Sequence, residues 1–287
     1  MPSFRHRLVV EFIQRTRGRA YRSADALHEK VRRQRLTRSY EPPQELSRSY
    51  DVTREDVEGL PCYTVRPRRD TASRVLYLHG GGFVFEMTKH HWGFAGRLAA
   101  RLDAAVTVPI FPLAPEHTCL DAYPALTALY AKLRRAEGPL TVMGDSTGAT
   151  IALVLAQTVH EQGPDHLVLI SPLVDATLSN PGIPAIRDPW LSVAGLRAGA
   201  RGWAGAVDLA DPRVSPLHGT FDGLGPTTIF TGTRDICHPD IRLLRERLIE
   251  QGVEVHYVEG PGLIHVFPLL PVPEAGRALE RLATIIK

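Results

Sequence analysis

Hydrophobic positions along this chain follow two alternating periods. Branched and aliphatic runs at Arg74–Leu78, Ala104–Ile110, Leu140–Met143, His166–Ile170, Thr227–Thr231 and Val253–Val258 read as strands. Helical spacing of apolar residues occupies His91–Leu102, Ala122–Ala136, Thr147–Gln162, Pro239–Gln251 and Glu274–Ile286. Alternation of this kind predicts an α/β fold, a mostly parallel sheet covered by helices on both faces. Upstream, helical stretches near residues 3–17 and 21–36 end at Tyr40-Glu41-Pro42-Pro43, because proline cannot continue a helix. Strand candidates Tyr50–Val57 and Leu60–Val65 flank a Glu58-Gly59 turn and predict an edge hairpin.

One stretch breaks the rhythm. Between Ser171 and Pro226, prolines stand at 172, 181, 184, 189, 212 and 216, around a helical run from Ser192 to Gly205. A connection this long inside a compact domain predicts a lid or binding loop. The expected organisation is therefore a helical cap segment at 1–45 and an α/β catalytic domain at 46–287, with a cap insertion within 172–225.

Composition adds bounds. A chain of 287 residues, 44% hydrophobic and 23% charged, is an ordinary globular sequence with room for one large domain or two smaller ones. No apolar run reaches the roughly 18 residues of a spanning helix, so no stable membrane insertion is expected. The arginine-rich start lacks a compact apolar core and does not read as a secretory signal. Three widely spaced cysteines, Cys62, Cys119 and Cys237, argue against a disulfide framework and for a reducing, cytoplasmic setting. Charge is uneven. Residues 1–48 hold 11 arginines and one lysine against five acidic residues, a net +7, whereas the whole chain is +3. Such an arm could meet nucleic acid or an anionic membrane. The reading taken is a solvated helical face with no nucleic-acid partner, since no interleaved aromatics offer base stacking.

Two glycine-framed motifs carry the chemistry. His79-Gly80-Gly81-Gly82 closes the strand ending at Leu78, and Gly144-Asp145-Ser146-Thr147-Gly148 closes the strand ending at Met143. The second fits a nucleophile elbow, in which a serine stands on a strained strand-to-helix bend. The first offers backbone N–H donors to an oxyanion. A serine hydroxyl needs a base, and the base needs an orienting carboxylate. With this elbow the chain order is serine, acid, histidine. Asp235 follows the strand Thr227–Thr231, and His265 follows Val253–Val258. Asp240 rivals Asp235 but falls in the first turn of a helix. His238, His256 and His218 rival His265 from a helix, a strand and the insertion. His79 reads as a group that hydrogen-bonds backbone to hold the glycine loop. Neither it nor the His90-His91 pair reads as a metal site, because adjacent residues do not share a helix face.

These motifs resemble the bacterial hormone-sensitive-lipase family of α/β-hydrolase esterases. Leu113-Ala114-Pro115-Glu116-His117, Asp188-Pro189-Trp190-Leu191 and Asp211-Pro212-Arg213-Val214-Ser215-Pro216-Leu217 carry the match further, over roughly residues 45–287. The resemblance implies an α/β-hydrolase fold with a helical cap, and cofactor-free, metal-free hydrolysis of a small-molecule ester with a short to medium acyl chain. Ser146 is then the nucleophile, His265 the base and Asp235 its orienter. The N–H groups of Gly81, Gly82 and Thr147 form the oxyanion hole, with His79, Gly80, Asp145 and Glu116 in support. Two departures stand out. Thr147 replaces the usual alanine and sets a β-branched side chain beside the hole, and the arginine that normally partners Glu116 is Pro112. The resemblance also implies a homodimer through Val253–Val258 and the last helix. The triad alone leaves deacetylase, lactonase and amidase chemistry open, and a non-catalytic small-molecule receptor as a further alternative.

Overall fold

The computed structural model describes residues 1–16, 21–37, 40–159 and 162–286. The helical expectations at residue 17 and at 160–161 lie outside the described residues. Eight strands form one sheet: β1 (Asp51–Val57), β2 (Leu60–Arg66), β3 (Ser73–Leu78), β4 (Ala104–Pro109), β5 (Leu140–Asp145), β6 (His166–Ile170), β7 (Thr227–Gly232) and β8 (Val255–Gly260). The helices are α1 (Phe4–Thr16), α2 (Ala24–Thr37), α3 (Gln44–Ser49), α4 (Lys89–Leu102), α5 (Cys119–Arg135), α6 (Thr147–Val159), α7 (Val193–Ala204), α8 (His238–Glu250) and α9 (Pro273–Ile285).

The strand order is β1-β2-β4-β3-β5-β6-β7-β8. The predicted hairpin β1–β2 is antiparallel at one edge, β2 is antiparallel to β4, and the remaining pairs are parallel. Alternate residues feed two cores. Leu76, Leu78, Val142, Leu167, Leu169 and Ile229 face one side with α5, α6 and α8. Val75, Tyr77, Met143, Val168, Ile170 and Phe230 face the other with α4 and α9. Strands covered on both faces explain why every residue of β5 and β6 is buried.

Chain direction across the sheet reverses at β3. The chain leaves β3 for β4 on one side and returns to β5 on the other, and such a switch point opens a crevice at the strands' carboxyl ends. Leu78 pairs with Gly144, so the loop after β3 and the turn after β5 emerge side by side.

One helix was not expected, and most boundaries move by one to three residues. The six-residue α3 buries only Leu46, too little periodicity to read from sequence. The last strand starts at Val255 rather than Val253, because the Val253 N–H closes the end of α8 on the Leu248 carbonyl. Helix α5 starts three residues early, where Asp121 accepts hydrogen bonds from the Thr118 N–H and hydroxyl at 2.7 and 2.9 Å. In the proline-rich stretch, α7 forms where the sequence placed it, with Ser192 accepting from the Gly195 N–H at its start. Among the described residues, no helix is long and apolar enough to cross a membrane.

The elbow tolerates no side chain at its closing glycine. A Cβ on Gly148 would overlap the carbonyl oxygen of Leu78 and the backbone of His79. Gly148→Ala is expected to cost about 3 kcal/mol of stability, measured as a lowered denaturant midpoint at unchanged slope.

Candidate active site

Ser146 stands at the turn from β5 into α6 with φ +52°, a left-handed backbone that L side chains seldom adopt. Its N–H donates to the Ile170 carbonyl at 2.8 Å, which holds the bend against β6. Its hydroxyl lies 2.8 Å from His265 Nε2, and His265 Nδ1 lies 2.8 Å from Asp235 Oδ2. With Nδ1–H donating to the carboxylate, Nε2 is left to accept from the serine hydroxyl. Asp235 is wholly buried and its other oxygen accepts from the Cys237 N–H at 2.9 Å, so its orientation is fixed. The loop after β8 that carries His265 is pinned at Val266, whose N–H donates to Ser171 Oγ at 3.0 Å. Burial by itself would lower the pKa of His265. The negative charge of Asp235 and its hydrogen bond outweigh that, and the net direction is upward.

The glycine loop lies beside this arrangement. The N–H groups of Gly81, Gly82 and Thr147 meet no protein acceptor among the described residues. Gly80 N–H donates to Asp145 Oδ1 at 3.1 Å, and the Tyr77 hydroxyl donates to the same oxygen. His79 is buried with Nδ1 2.8 Å from the Gly80 carbonyl and its ring stacked on Phe111, as its sequence position suggested. Burial drives its pKa down to about 4, which keeps it neutral. The Thr147 hydroxyl turns toward the loop and accepts from the Phe83 N–H at 3.2 Å, so its extra bulk braces the loop. Glu116 lies away from the serine. The ion pair that Pro112 cannot supply comes instead from α2, where Arg35 lies 3.4 Å from Glu116 and 2.8 Å from Glu86.

The rival residues have other partners. Asp240 accepts from Asn180 at 2.7 Å, His238 meets Glu259 at 2.9 Å, His256 meets Glu254 at 3.2 Å and His218 meets Asp175 at 3.6 Å. Asp235, Cys237 and His265 offer ligand atoms within 4.8 Å of one another. Burial holds the Cys237 thiol far above its usual range, and His265 and Asp235 are spent on each other, a poor donor set for a metal. His91 Nδ1 accepts from the Thr88 N–H at 3.1 Å, a capping role.

Two features go beyond what the sequence marked. Asp188 accepts from the N–H groups of Trp190 and Leu191 at 2.7 and 3.0 Å and from that of Ile236 at 2.9 Å, tying the insertion to the turn that carries Asp235. Burial, then the charge of Asp235, raises its carboxyl to about 6. Trp190 presents its ring edgewise to His265, with centroids 6.0 Å apart. The other feature is the roof. A cavity of about 970 Å³ extends from Ser146 and His265 between α1, α2 and the loop before α9, lined by Leu8, Phe12, Ile13, Gln34, Leu269 and Leu270 among others.

Residues 75–269 match the family described as the alpha/beta hydrolase fold. The chain belongs to the α/β-hydrolase family. An esterase from Acinetobacter venetianus is 31% identical over 236 residues, 78% of each chain. An acetyl-hydrolase from Streptomyces hygroscopicus is 31% identical over 228 residues, 75% of this chain and 76% of its own. The structure of a putative esterase from Staphylococcus aureus superposes with a TM-score of 0.87 at 27% identity, covering 93% of this chain and 94% of that one. This α/β-hydrolase is thus an enzyme of the esterase and lipase class.

Two outcomes follow from the geometry of this α/β-hydrolase. With His265 as the expected base, which must be neutral to accept a proton, activity is expected to be lost as pH falls through its folded-state pKa. That midpoint is expected above the ordinary 6.5 in a kcat/KM profile. Asp235→Asn is expected to move it downward and to lower the rate by about 10⁴-fold. Thr147→Val keeps the volume but leaves the Phe83 N–H unpaired, a cost of about 1–3 kcal/mol. Its kcat on a soluble ester is expected to fall roughly tenfold with little change in KM, and Thr147→Ser to restore it.

Proposed function

We propose that this enzyme hydrolyses carboxylic esters of short to medium acyl chains through a Ser146–His265–Asp235 acyl-enzyme mechanism. The observation that carries the reading is the unbroken 2.8 Å relay from the serine hydroxyl through the imidazole to a fully buried carboxylate, opening into a cavity. Ser146 Oγ attacks the ester carbonyl while His265 Nε2 takes its proton. Asp235 steadies the imidazolium that results. Negative charge on the carbonyl oxygen is met by the N–H groups of Gly81, Gly82 and Thr147, each worth roughly 3–4 kcal/mol in such a role. His265 returns the proton to the leaving alcohol. Water then attacks the acyl-serine by the same route, so the cycle needs no cofactor. Apolar lining from Leu8, Phe12, Leu269 and Leu270 suits an acyl chain.

The acetyl-hydrolase relative favours a second reading, in which the acyl group is acetyl and the cavity holds a bulky alcohol. The residues at 1–45 and 172–225 serve as the cap in either case. Three buried free cysteines suit a cytoplasmic setting, and the open edge of β8 suits a homodimer.

A p-nitrophenyl ester series from acetate to dodecanoate tests the reading. Wild-type turnover is expected to peak between acetate and octanoate, and Ser146→Ala to lower it by about 10⁵-fold or more. A peak confined to acetate favours the acetyl-ester reading. Unchanged turnover in Ser146→Ala removes Ser146 as the nucleophile.

A further inference from the structure

Helix α1 carries apolar residues on two faces, and only one of them is buried. His6, Val10 and Ile13 are buried on the side that packs on α9, and the start of the helix is fastened by Glu274, which accepts from the Ser3 N–H at 2.7 Å. On the other side Phe4, Leu8 and Phe12, spaced i, i+4 and i+8, form one stripe and are 68%, 50% and 61% exposed. Three large apolar side chains in a row facing water mark an interaction surface. Leu8 and Phe12 also line the cavity over Ser146, so the stripe leads to its mouth.

Basic residues frame the stripe. Arg5, Arg7 and Arg15 are exposed on α1, and Arg22, Lys30, Arg32 and Arg33 are exposed before and along α2; Glu11 pairs with Arg15 and Glu29 with Arg32 and Arg33, which leaves the cations in excess. The Arg7 guanidinium stands 5.8 Å over the Phe4 ring. Residues 1–48 carry +7 and the rest of the chain −4, so the molecule presents this end to a negative partner. A second copy docking stripe to stripe would bring two such positive ends together. An anionic lipid layer supplies the opposite charge and takes up the apolar stripe as well. At 13 residues α1 is too short to span a bilayer, and a helix of this character lies in the interface.

We propose that α1 docks flat on an anionic lipid surface, with Phe4, Leu8 and Phe12 at the level of the headgroups and the flanking arginines on lipid phosphates, so that the cavity mouth opens onto the membrane. Docking is independent of the hydrolytic reading. The consequence that an ester chain passes from lipid to Ser146 without crossing water rests on it.

Vesicle flotation of the full chain carrying Ser146→Ala separates the two. Binding to mixed phosphatidylglycerol–phosphatidylcholine vesicles is expected, weakening with salt and with pure phosphatidylcholine. Adding Phe4→Ser and Arg7→Glu, neither of which lines the cavity, is expected to weaken partitioning about tenfold or more. In the otherwise wild-type chain the same pair is expected to leave the thermal midpoint and p-nitrophenyl acetate turnover unchanged. Absence of binding to anionic vesicles, or binding indifferent to the double substitution, overturns the proposal. So does a dimer in light scattering that the double substitution dissolves, because the stripe then belongs to a second copy.

Discussion

The buried carboxylate of Asp145 is the joint on which the catalytic edge depends. It ends β5 one residue before the serine, and it reaches across to β3 to take hydrogen bonds from the Gly80 N–H and the Tyr77 hydroxyl. Burial raises its pKa and these bonds oppose the rise, so the carboxylate is costly to bury and is kept there by its donors. Nothing larger than glycine fits at position 80, because a Cβ there would strike Asp145 itself. Loop and elbow are thus fixed relative to each other by polar contacts that no apolar packing could aim as narrowly. The adjacent pairing of β3 and β5 brings them within reach, and Asp145 sets their relation.

The charge arrangement around His265 favours the protonated ring. Asp235 approaches it directly and Asp188 through the turn whose Ile236 N–H it holds, and Asp145 adds its charge from the elbow. Asp235 and Asp188 each have their own backbone donors, which lets two acidic groups share a small buried space. In the proposed cycle the imidazolium is the transient species, and its stabilisation is present before substrate arrives.

What the sequence made legible follows from how local the determining forces are. Gly144 is bare because a Cβ there would strike Gly148 in the same turn, and Gly148 because one would strike Leu78 and His79 of the adjacent loop; both frame Ser146 at fixed spacing, so the elbow shows itself in five letters. That Asp235 and His265 would meet could be expected, because each lies a few residues past a strand and the order of parts is fixed. The partner of Glu116 was not, since Arg35 is 81 positions away and belongs to a helix whose own pattern gives no hint of its neighbour. Thr147 looked like an intrusion on the oxyanion site, and only its distance to the Phe83 N–H reveals it as a brace. Asp188 lay in a recognised four-residue segment, yet its reach to Ile236, 48 positions on, is a property of the folded chain. The segment 1–45 that holds α1 and α2 could be read as a cap from its helical pattern, whereas the part the loop before α9 takes in the roof over Ser146 appears only in the folded chain.

Helix α7 rests directly on the oxyanion loop. Gly199 is bare because any side chain there would meet the Gly82 carbonyl, and Gly195 is bare against the backbone of Tyr21. A helix seated that closely cannot swing away as a hinged door without dragging Gly82 along. Traffic of substrate and product is therefore assigned to the other side of the roof, between α1 and α2, while α7 behaves as part of the frame. Mutational drift in this protein should accordingly be tolerated along the α1–α2 gateway, where it retunes what is admitted, and be punished on the inner face of α7, where it would disturb turnover for every substrate alike.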